Sequence, residues 1–164
     1  MILLKTILVA TDFSEPSEAA LAYGRELAFT FGAKLVIAHV ADRVLAFGGG
    51  DGFVFIDPDL QRNVEAGDRR QLEALISDED REQLRAEAVV LTDSSPAQAI
   101  NSYAKDAGVD LIVMGTHGRG AVTQLLMGSV AERVVRTAPC PVLTVRHPER
   151  EFVLPDALVA VARA

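Results

Sequence analysis

Five short segments of the chain are almost wholly aliphatic, and each is too short for a typical helix: Ile7-Ala10, Leu35-Val40, Ala88-Leu91, Leu111-Met114 and Val142-Val145. Because these segments do not alternate with polar residues, both faces of each strand should be covered by other elements. Continuous burial of this kind is typical of parallel strands joined by helices. The pattern predicts an α/β fold, a single doubly wound domain in which a five-stranded parallel sheet carries helices on both faces.

The stretch after the first of these segments carries the signals of a helix. The helix should begin at Ser14, with Pro16 in its opening turn, and should end at Gly32. Small and apolar residues at helical spacing predict the buried stripe, which comprises Ala20, Gly24, Leu27, Ala28 and Phe31.

Two later helices are predicted from capping residues. Ser95-Pro96-Ala97-Gln98 has the pattern of a capping box with proline at the first helical position, and this helix should end at Gly108. Ser129, with Glu132 three residues later, forms a second capping box at the start of the last crossover helix. That helix should bury Val130, Val134 and Val135.

The region between the second and third strands is less regular. Glycine density predicts a mobile loop over residues 42–60. Residues 61–85 are charged and helix-prone, with a second helix start near Ser77-Asp78-Glu79-Asp80. The charges of residues 65–87 are expected to form a solvated helical face.

The last residues also lie outside the regular scheme. Pro155-Asp156, followed by Ala, Leu and Val, predicts a short terminal helix. The expected organisation is therefore one domain over residues 1–146 and a C-terminal extension over residues 147–164.

Composition narrows the classes of function. With 23 acidic and 16 basic side chains the formal charge is -7, which argues against binding to a nucleic acid backbone. The single cysteine, Cys140, excludes an internal disulfide and a multi-cysteine zinc site, and fits a reducing compartment. Without a signal-like start or a long apolar run, we expect a cytoplasmic protein that does not bind a membrane.

The most informative stretch runs from the fourth strand into the last helix and reads Gly115-x2-Gly118-x9-Gly128-Ser129. Glycines let backbone N–H groups approach an anion, and a helix N-terminus adds a favourable dipole, so the set can cradle a polyphosphate. Alternatively, Gly115 serves only a tight strand exit and Ser129 is only a helix cap. The standard P-loop and dinucleotide fingerprints are absent from the sequence.

Polar residues near this segment and after the first strand are further candidates. Asp12 stands at the predicted mouth of the sheet, where it can hold a ribose hydroxyl or a metal, or can act as a loop carboxylate accepting nearby backbone N–H groups. His117 and Arg119 can contact phosphate or can be solvated loop residues. His39 is expected to pack or to bond to the backbone. Cys140 is a small residue entering the last strand or a thiol of low pKa.

Three stretches together resemble the universal stress protein family over about residues 3–146. They are residues 7–14 (Ile-Leu-Val-Ala-Thr-Asp-Phe-Ser), residues 110–118 (Asp-Leu-Ile-Val-Met-Gly-Thr-His-Gly) with Gly128-Ser129, and residues 138–143 (Ala-Pro-Cys-Pro-Val-Leu). The spaced glycines are those of the nucleotide-binding members of that family. Ala10 departs from the family, which often has proline at this position before the Thr-Asp pair, and the tail extends past the usual family end.

The resemblance implies five parallel strands, four helices and a homodimer formed largely through the last strand, Val142-Val145. It also implies ATP, with Mg2+, between the ends of the first and fourth strands. Ala10 and Asp12 would line the nucleoside pocket and Val40 would touch adenine. The residues implied around the ribose and phosphates are Met114, Gly115, Gly118, Gly128, Ser129 and Val130. Thr11, His117 and Arg119, which lie beside these residues in the sequence, complete the set of candidate binding residues.

Three functions remain open from the sequence. The first is an ATP-binding regulatory stress-response protein that acts on an unidentified protein partner, with hydrolysis absent or slow because no catalytic set is visible. The second is a nucleotide-free dimerisation or scaffold module of the same fold. The third is a phospho-acceptor receiver domain, which the sequence disfavours because one carboxylate follows the first strand and no lysine follows the last.

Overall fold

The computed structural model describes residues 1–47, 54–116 and 127–146. The predictions for His117, Gly118, Arg119, the 48–53 glycines and the tail lie outside these residues. The strands are β1 (Thr6–Ala10), β2 (Lys34–Ala41), β3 (Leu45–Phe47), β4 (Val54–Ile56), β5 (Glu87–Thr92), β6 (Leu111–Gly115) and β7 (Val142–Val145). The helices are α1 (Glu15–Phe31), α2 (Pro58–Leu75), α3 (Asp78–Leu84), α4 (Pro96–Asp106) and α5 (Ser129–Thr137).

The predicted strands form one five-stranded parallel sheet, in the order β5-β2-β1-β6-β7. The predicted fold class is confirmed. From β1 the chain winds outward through β2 to β5, and from β6 it winds the other way to β7. The direction of winding therefore reverses between β1 and β6, where the carboxyl ends of parallel strands leave a crevice.

The sheet separates two hydrophobic cores. Alternate residues of β1 point to opposite cores, with Ile7 and Val9 on one side and Leu8 on the other. The first core includes side chains of α1, α2 and α3, and the second includes side chains of α4 and α5. Because both faces are covered, both sets of strand positions must be apolar, which explains the unbroken aliphatic segments.

The ends of α1 follow the prediction, but its buried stripe is partly different. Ser14 is the N-cap residue, and Gly32 ends the helix in the left-handed conformation at φ 64°. Phe31 is 38% exposed instead of buried, because it is the last helical residue, where the chain turns toward β2. Leu21 and Tyr23 are buried in addition to the predicted small residues.

The predicted capping residues behave differently from one helix to the next. At Ser77 a capping box forms, since Ser77 Oγ accepts the N–H of Asp80 at 3.0 Å and the Asp80 carboxylate accepts the N–H of Ser77 at 3.0 Å. The capping box predicted at Ser95 is wrong. Its side chain makes no cap bond, and the carboxylate of Asp93 accepts the N–H of Ser95 at 2.9 Å. Gly108, at φ 62°, follows the end of α4 as predicted.

The last helix is capped one residue earlier than predicted, at Gly128 instead of Ser129. Ser129 is the first helical residue and Gly128 is the N-cap, with no side-chain cap bond, so the second predicted capping box is also wrong. Val134 is fully buried, whereas Val135 is 46% exposed because the face that packs on the sheet passes through Ala131 and Val134.

The loop predicted over residues 42–60 contains regular structure. Strands β3 and β4 pair antiparallel, with Leu45 opposite Ile56, and α2 already begins at Pro58. The carboxylate of Asp57 caps α2 by accepting the N–H groups of Asp59 and Leu60. Glycine density hid this pairing, because the two short strands flank the glycines. Among the described residues no helix is both long and apolar enough to cross a bilayer.

Two helical glycines give a matched test of this packing. A Cβ on Gly24 of α1 would overlap the Cγ2 of Val9, whereas a Cβ on Gly67 of α2 would meet nothing nearer than an Arg70 side-chain nitrogen at 4.0 Å. Gly24→Ala should lower the free energy of unfolding by about 1–3 kcal/mol through overpacking. Gly67→Ala should raise it by about 0.5–1 kcal/mol through helix propensity.

Both free energies can be measured by urea unfolding at equilibrium. The double variant Gly24→Ala/Val9→Ala removes the overlapping methyl group and is the control for the cause of the loss. The loss of unfolding free energy in the double variant should be smaller than the sum of the losses in Gly24→Ala and Val9→Ala. Strict additivity, or a stabilising Gly24→Ala, would show that α1 does not approach β1 as described.

Candidate functional site

A cavity of about 550 Å³ opens at the carboxyl edge of the sheet, where the winding reverses. This volume lies in the range of small-molecule and cofactor sites. The cavity is bounded by the ends of β1, β2 and β6 and by parts of α1, α2, α4 and α5. Its lining residues are Ala10, Thr11, Asp12, Ser17, Ala38, His39, Val40, Asp42, Val64, Asp68, Pro96, Ile100, Met114, Gly115, Thr116, Gly128, Ser129, Val130 and Ala131.

The structure brings together the predicted site residues that it describes. They come from four separate parts of the chain and line the same cavity: Ala10, Thr11, Asp12, Val40, Met114, Gly115, Gly128, Ser129 and Val130. Parallel strands carry their carboxyl ends to one edge of the sheet, and this explains why residues so distant in sequence meet there.

The loop after β1 is held by its own side chains. Thr11 is buried, with its hydroxyl 3.0 Å from the Ser17 hydroxyl and accepting the N–H of Phe13 at 3.0 Å. Phe13 has φ 64°, a conformation that costs energy for a bulky residue and that often marks functional sites. One carboxylate oxygen of Asp12 accepts the N–H of Ser14 at 3.2 Å. Asp12 therefore acts as a loop carboxylate while also facing the cavity.

Gly115 is required by packing at the end of β6. A Cβ at this position would lie 2.9 Å from the carbonyl carbon of Pro16 and 3.0 Å from its oxygen. Real side chains do not approach backbone so closely, so the first turn of α1 could not keep its place against β6. This contact explains Gly115 as a tight strand exit, the structural alternative considered from the sequence.

The start of α5 has a different character. Gly128 has ordinary backbone angles, φ -61° and ψ 147°, and donates its N–H to the Thr116 carbonyl at 2.7 Å. The first intrahelical bond joins Glu132 N–H to Gly128 O, so the amides of Ser129, Val130 and Ala131 precede the helical ladder. These residues line the cavity, and the N-cap residue, Gly128, supplies no side-chain cap bond. A helix N-terminus that opens onto a cavity favours an anion.

One wall of the cavity was not predicted. Val64 and Asp68, one turn apart on α2, face the cavity from a stretch that the sequence assigned to solvent. Asp68 Oδ2 lies 3.7 Å from Nε2 of His39. As predicted, His39 also bonds the backbone, with Nδ1 2.8 Å from the Thr11 oxygen. The i, i+4 spacing of Val64 and Asp68 was visible in the sequence, but the surrounding charges obscured it.

Cys140 lies just before β7, at the amino ends of the strands and away from the cavity at their carboxyl ends. Burial, and to a smaller extent the nearby Asp110 carboxylate, raises the pKa of the Cys140 thiol. The environment of Cys140 therefore opposes the alternative of a thiol of low pKa.

Comparison with known proteins agrees with the resemblance. The model of the universal stress protein family matches residues 4–146. A universal stress protein of Thermus aquaticus is 37% identical over 144 residues, which cover 88% of this chain and all of that protein. The solved UspA of Lactobacillus plantarum superimposes with a TM-score of 0.71 at 22% identity, covering 89% of this chain and all of that one.

A second solved structure adds a ligand. The universal stress protein of Archaeoglobus fulgidus in complex with dAMP superimposes with a TM-score of 0.59 at 23% identity, covering 88% of this chain and 99% of that one. At this identity the likeness is one of fold. The family model and the Thermus relative extend over most of the chain, and they confirm that this protein belongs to the universal stress protein family.

Proposed function

We propose that this stress-response protein binds ATP in the cavity between β1 and β6 and acts as a homodimeric regulator of a protein partner. One observation carries the proposal: the N-terminus of α5, whose N-cap residue Gly128 makes no side-chain cap bond, opens onto the cavity at the reversal of winding. Bound nucleotide would change the surface at the mouth of the sheet, and a partner protein would bind the nucleotide-bound and nucleotide-free surfaces with different affinities.

The phosphates would lie at the start of α5. The amides of Ser129, Val130 and Ala131 supply donors, and the helix dipole favours negative charge by about 0.3–1 kcal/mol or more where partly buried. The Ser129 hydroxyl adds a donor on the same side of the cavity. In the sequence, Gly118, His117 and Arg119 precede this helix, and we propose that they complete the phosphate contacts.

The nucleoside would lie toward β1 and β2. Ala10 and Val40 supply small apolar walls at two neighbouring strand ends, and Asp12 supplies a carboxylate suited to a ribose hydroxyl. Met114, buried at the end of β6, lies between this region and the phosphate end. The Archaeoglobus protein in complex with dAMP supports a nucleotide as ligand for this fold.

Magnesium would enter with the nucleotide. Among the described residues no three His, Cys, Asp or Glu side chains cluster as a metal cage. Mg2+ commonly binds through substrate phosphates, waters and one or two oxygen ligands of the protein, and Asp12 and Ser129 offer such oxygens. The residues fit a metal that arrives on ATP.

The second candidate is a nucleotide-free scaffold of the same fold. The contact of Gly115 with Pro16 favours it, because that glycine is explained without a ligand. Gly128 differs, since its backbone angles are open to most residues. A nucleotide that copurifies with the protein, identified by mass spectrometry after acid release, would separate the two candidates.

The homodimer would form through β7, which lies at the edge of the sheet beside β6. Ile112 of β6 and Thr116, the residue after β6, donate to the carbonyls of Pro141 and Val145, so alternate residues of β7 face β6. Val142 and Thr144, between them, direct their N–H and C=O groups outward. An edge of this kind can pair with a second copy. We propose that residues 1–146 form the dimerising domain and residues 147–164 an extension.

Binding of ATP can be tested with a charge at the start of α5. Gly128→Asp should weaken Mg-ATP binding by at least about tenfold, because a carboxylate at the N-cap would repel the phosphates. Gly128→Asn is the matched control, since Asn caps a helix as well as Asp but carries no charge. Its affinity should stay close to that of the wild type in isothermal titration calorimetry. Equal affinities in the wild type and Gly128→Asp would remove the proposed phosphate site.

Hydrolysis of ATP by the isolated protein should be slow. The described site offers hydroxyls and one carboxylate beside the proposed phosphates, without a P-loop lysine or a residue placed to activate water. Turnover should lie well below the ~10 per second typical of enzymes. Phosphate release can be followed under saturating Mg-ATP, with Gly128→Asp as the control for contaminating ATPase. Ordinary enzymatic turnover that disappears in the variant would make the protein an enzyme.

The dimer can be tested at Thr144. Thr144→Pro removes an outward N–H from β7, a change that edge strands tolerate, so the variant should be a folded monomer. Thr144→Val keeps the N–H and should remain a dimer by light scattering at micromolar concentration. A wild-type monomer, or a dimer that survives in Thr144→Pro with unchanged affinity, would contradict pairing through β7.

A further inference from the structure

We infer that Asp68 of α2 selects the nucleobase, by accepting a hydrogen bond from an exocyclic amino group such as that of adenine. The inference rests on the proposed function, because it takes the phosphates to lie at the start of α5. Asp68 belongs to the helical stretch whose charges were predicted to face solvent.

The position of the base follows from the order of the strands. With phosphates beside β6 and α5, the rest of a nucleotide must extend across β1 toward β2, two strand spacings or roughly 10 Å away. That end of the cavity is closed by α2, through Val64 and Asp68. The aliphatic side chain can pack against the face of a base, and the carboxylate can meet its polar edge.

Among the residues that the structure describes, none donates a hydrogen bond to the Asp68 carboxylate. It is 22% exposed, and the Nε2 atom of His39, its polar neighbour, lies 3.7 Å away, beyond hydrogen-bond distance. His39 Nδ1 is 2.8 Å from the Thr11 oxygen, and a carbonyl oxygen can only accept, so Nδ1 donates to it. Nε2 faces the Asp68 carboxylate across 3.7 Å, which leaves the carboxylate oxygens able to accept a hydrogen bond from a ligand in the cavity.

An exocyclic amino group on the base would supply the missing hydrogen-bond donor. It carries N–H donors that the Asp68 carboxylate can accept, whereas an oxo group would place a second acceptor against the carboxylate. The other carboxylates are placed differently. Asp12 already accepts the N–H of Ser14 at the end of β1, and Asp42 is exposed at the rim. Asp68 is the carboxylate of the α2 wall.

The test compares two ligands that differ by the amino group alone, ATP and purine riboside 5'-triphosphate, by calorimetry with Mg2+. The wild type should bind ATP at least about tenfold more tightly, because a charged acceptor would lose its donor in the second complex. In Asp68→Ala the ratio of the two affinities should fall to within about twofold. Asp68→Asn, which keeps a neutral acceptor, should give an intermediate ratio.

The ratio isolates the base, because removing a negative charge changes the attraction for both triphosphates alike. Asp42→Ala is the matched control and should keep the wild-type ratio. Equal binding of the two ligands by the wild type, a preference that survives Asp68→Ala, or a preference lost in Asp42→Ala would each overturn the assignment. If the wild type bound neither triphosphate, the proposed function itself would fail. Because alanine has a high helix propensity, Asp68→Ala should not disturb α2. Thermal unfolding checks that each variant is folded.

Discussion

The reversal of winding between β1 and β6 is the constraint on which the rest of this structure depends. The two strands are hydrogen-bonded neighbours, yet the chain leaves β1 toward one edge of the sheet and leaves β6 toward the other. Right-handed crossovers then place α1 and α5 on opposite faces. Because no crossover covers the carboxyl ends of both strands, a cavity opens there, and both the aliphatic strands and the glycines around it follow from this topology.

The two glycines that border the cavity meet different physical demands. Gly115 lets the end of β6 lie against the backbone of Pro16, so it holds α1 in place and is explained by packing. Gly128 sits at the start of α5 with backbone angles that most residues can adopt. Phe13 shows the reverse case, a bulky residue at φ 64° that is held by the Thr11 hydroxyl and by ring contact with His39. A strained residue and a close backbone approach thus both occur at the mouth of the sheet.

Much of the fold was predictable because its signals are local. The unbroken aliphatic segments predicted the five strands. Gly32 and Gly108 mark helix ends because they adopt positive φ. The capping boxes at Ser95 and Ser129 failed because a Ser-x-x-Gln or Ser-x-x-Glu pattern does not determine which group caps the helix. At Ser95 the Asp93 carboxylate accepts the N–H of Ser95 itself, the bond that Gln98 would accept in a capping box, and at Ser129 the chain enters the helix one residue earlier. These choices depend on the path of the preceding loop.

The candidate site was predictable where its residues follow strands or open helices. Ala10, Asp12 and Gly128 belong to such positions, and the topology brings them together without further information. Asp68 was not found because its contribution depends on how α2 packs over the end of β2, a tertiary contact with no local signature. The charges around it suggested solvent, yet its carboxylate lies against His39 within the cavity.

The central claim is that the cavity at the reversal of winding takes a nucleotide with its phosphates on the start of α5. Backbone amide shifts, followed by NMR during a titration with Mg-ATP, address each residue of this claim directly. The account predicts that the amides of Ser129, Val130 and Ala131 shift most, together with those of Asp12 and Val40. Saturable binding that leaves the α5 amides unmoved, or the absence of any shift at millimolar ATP, would contradict it.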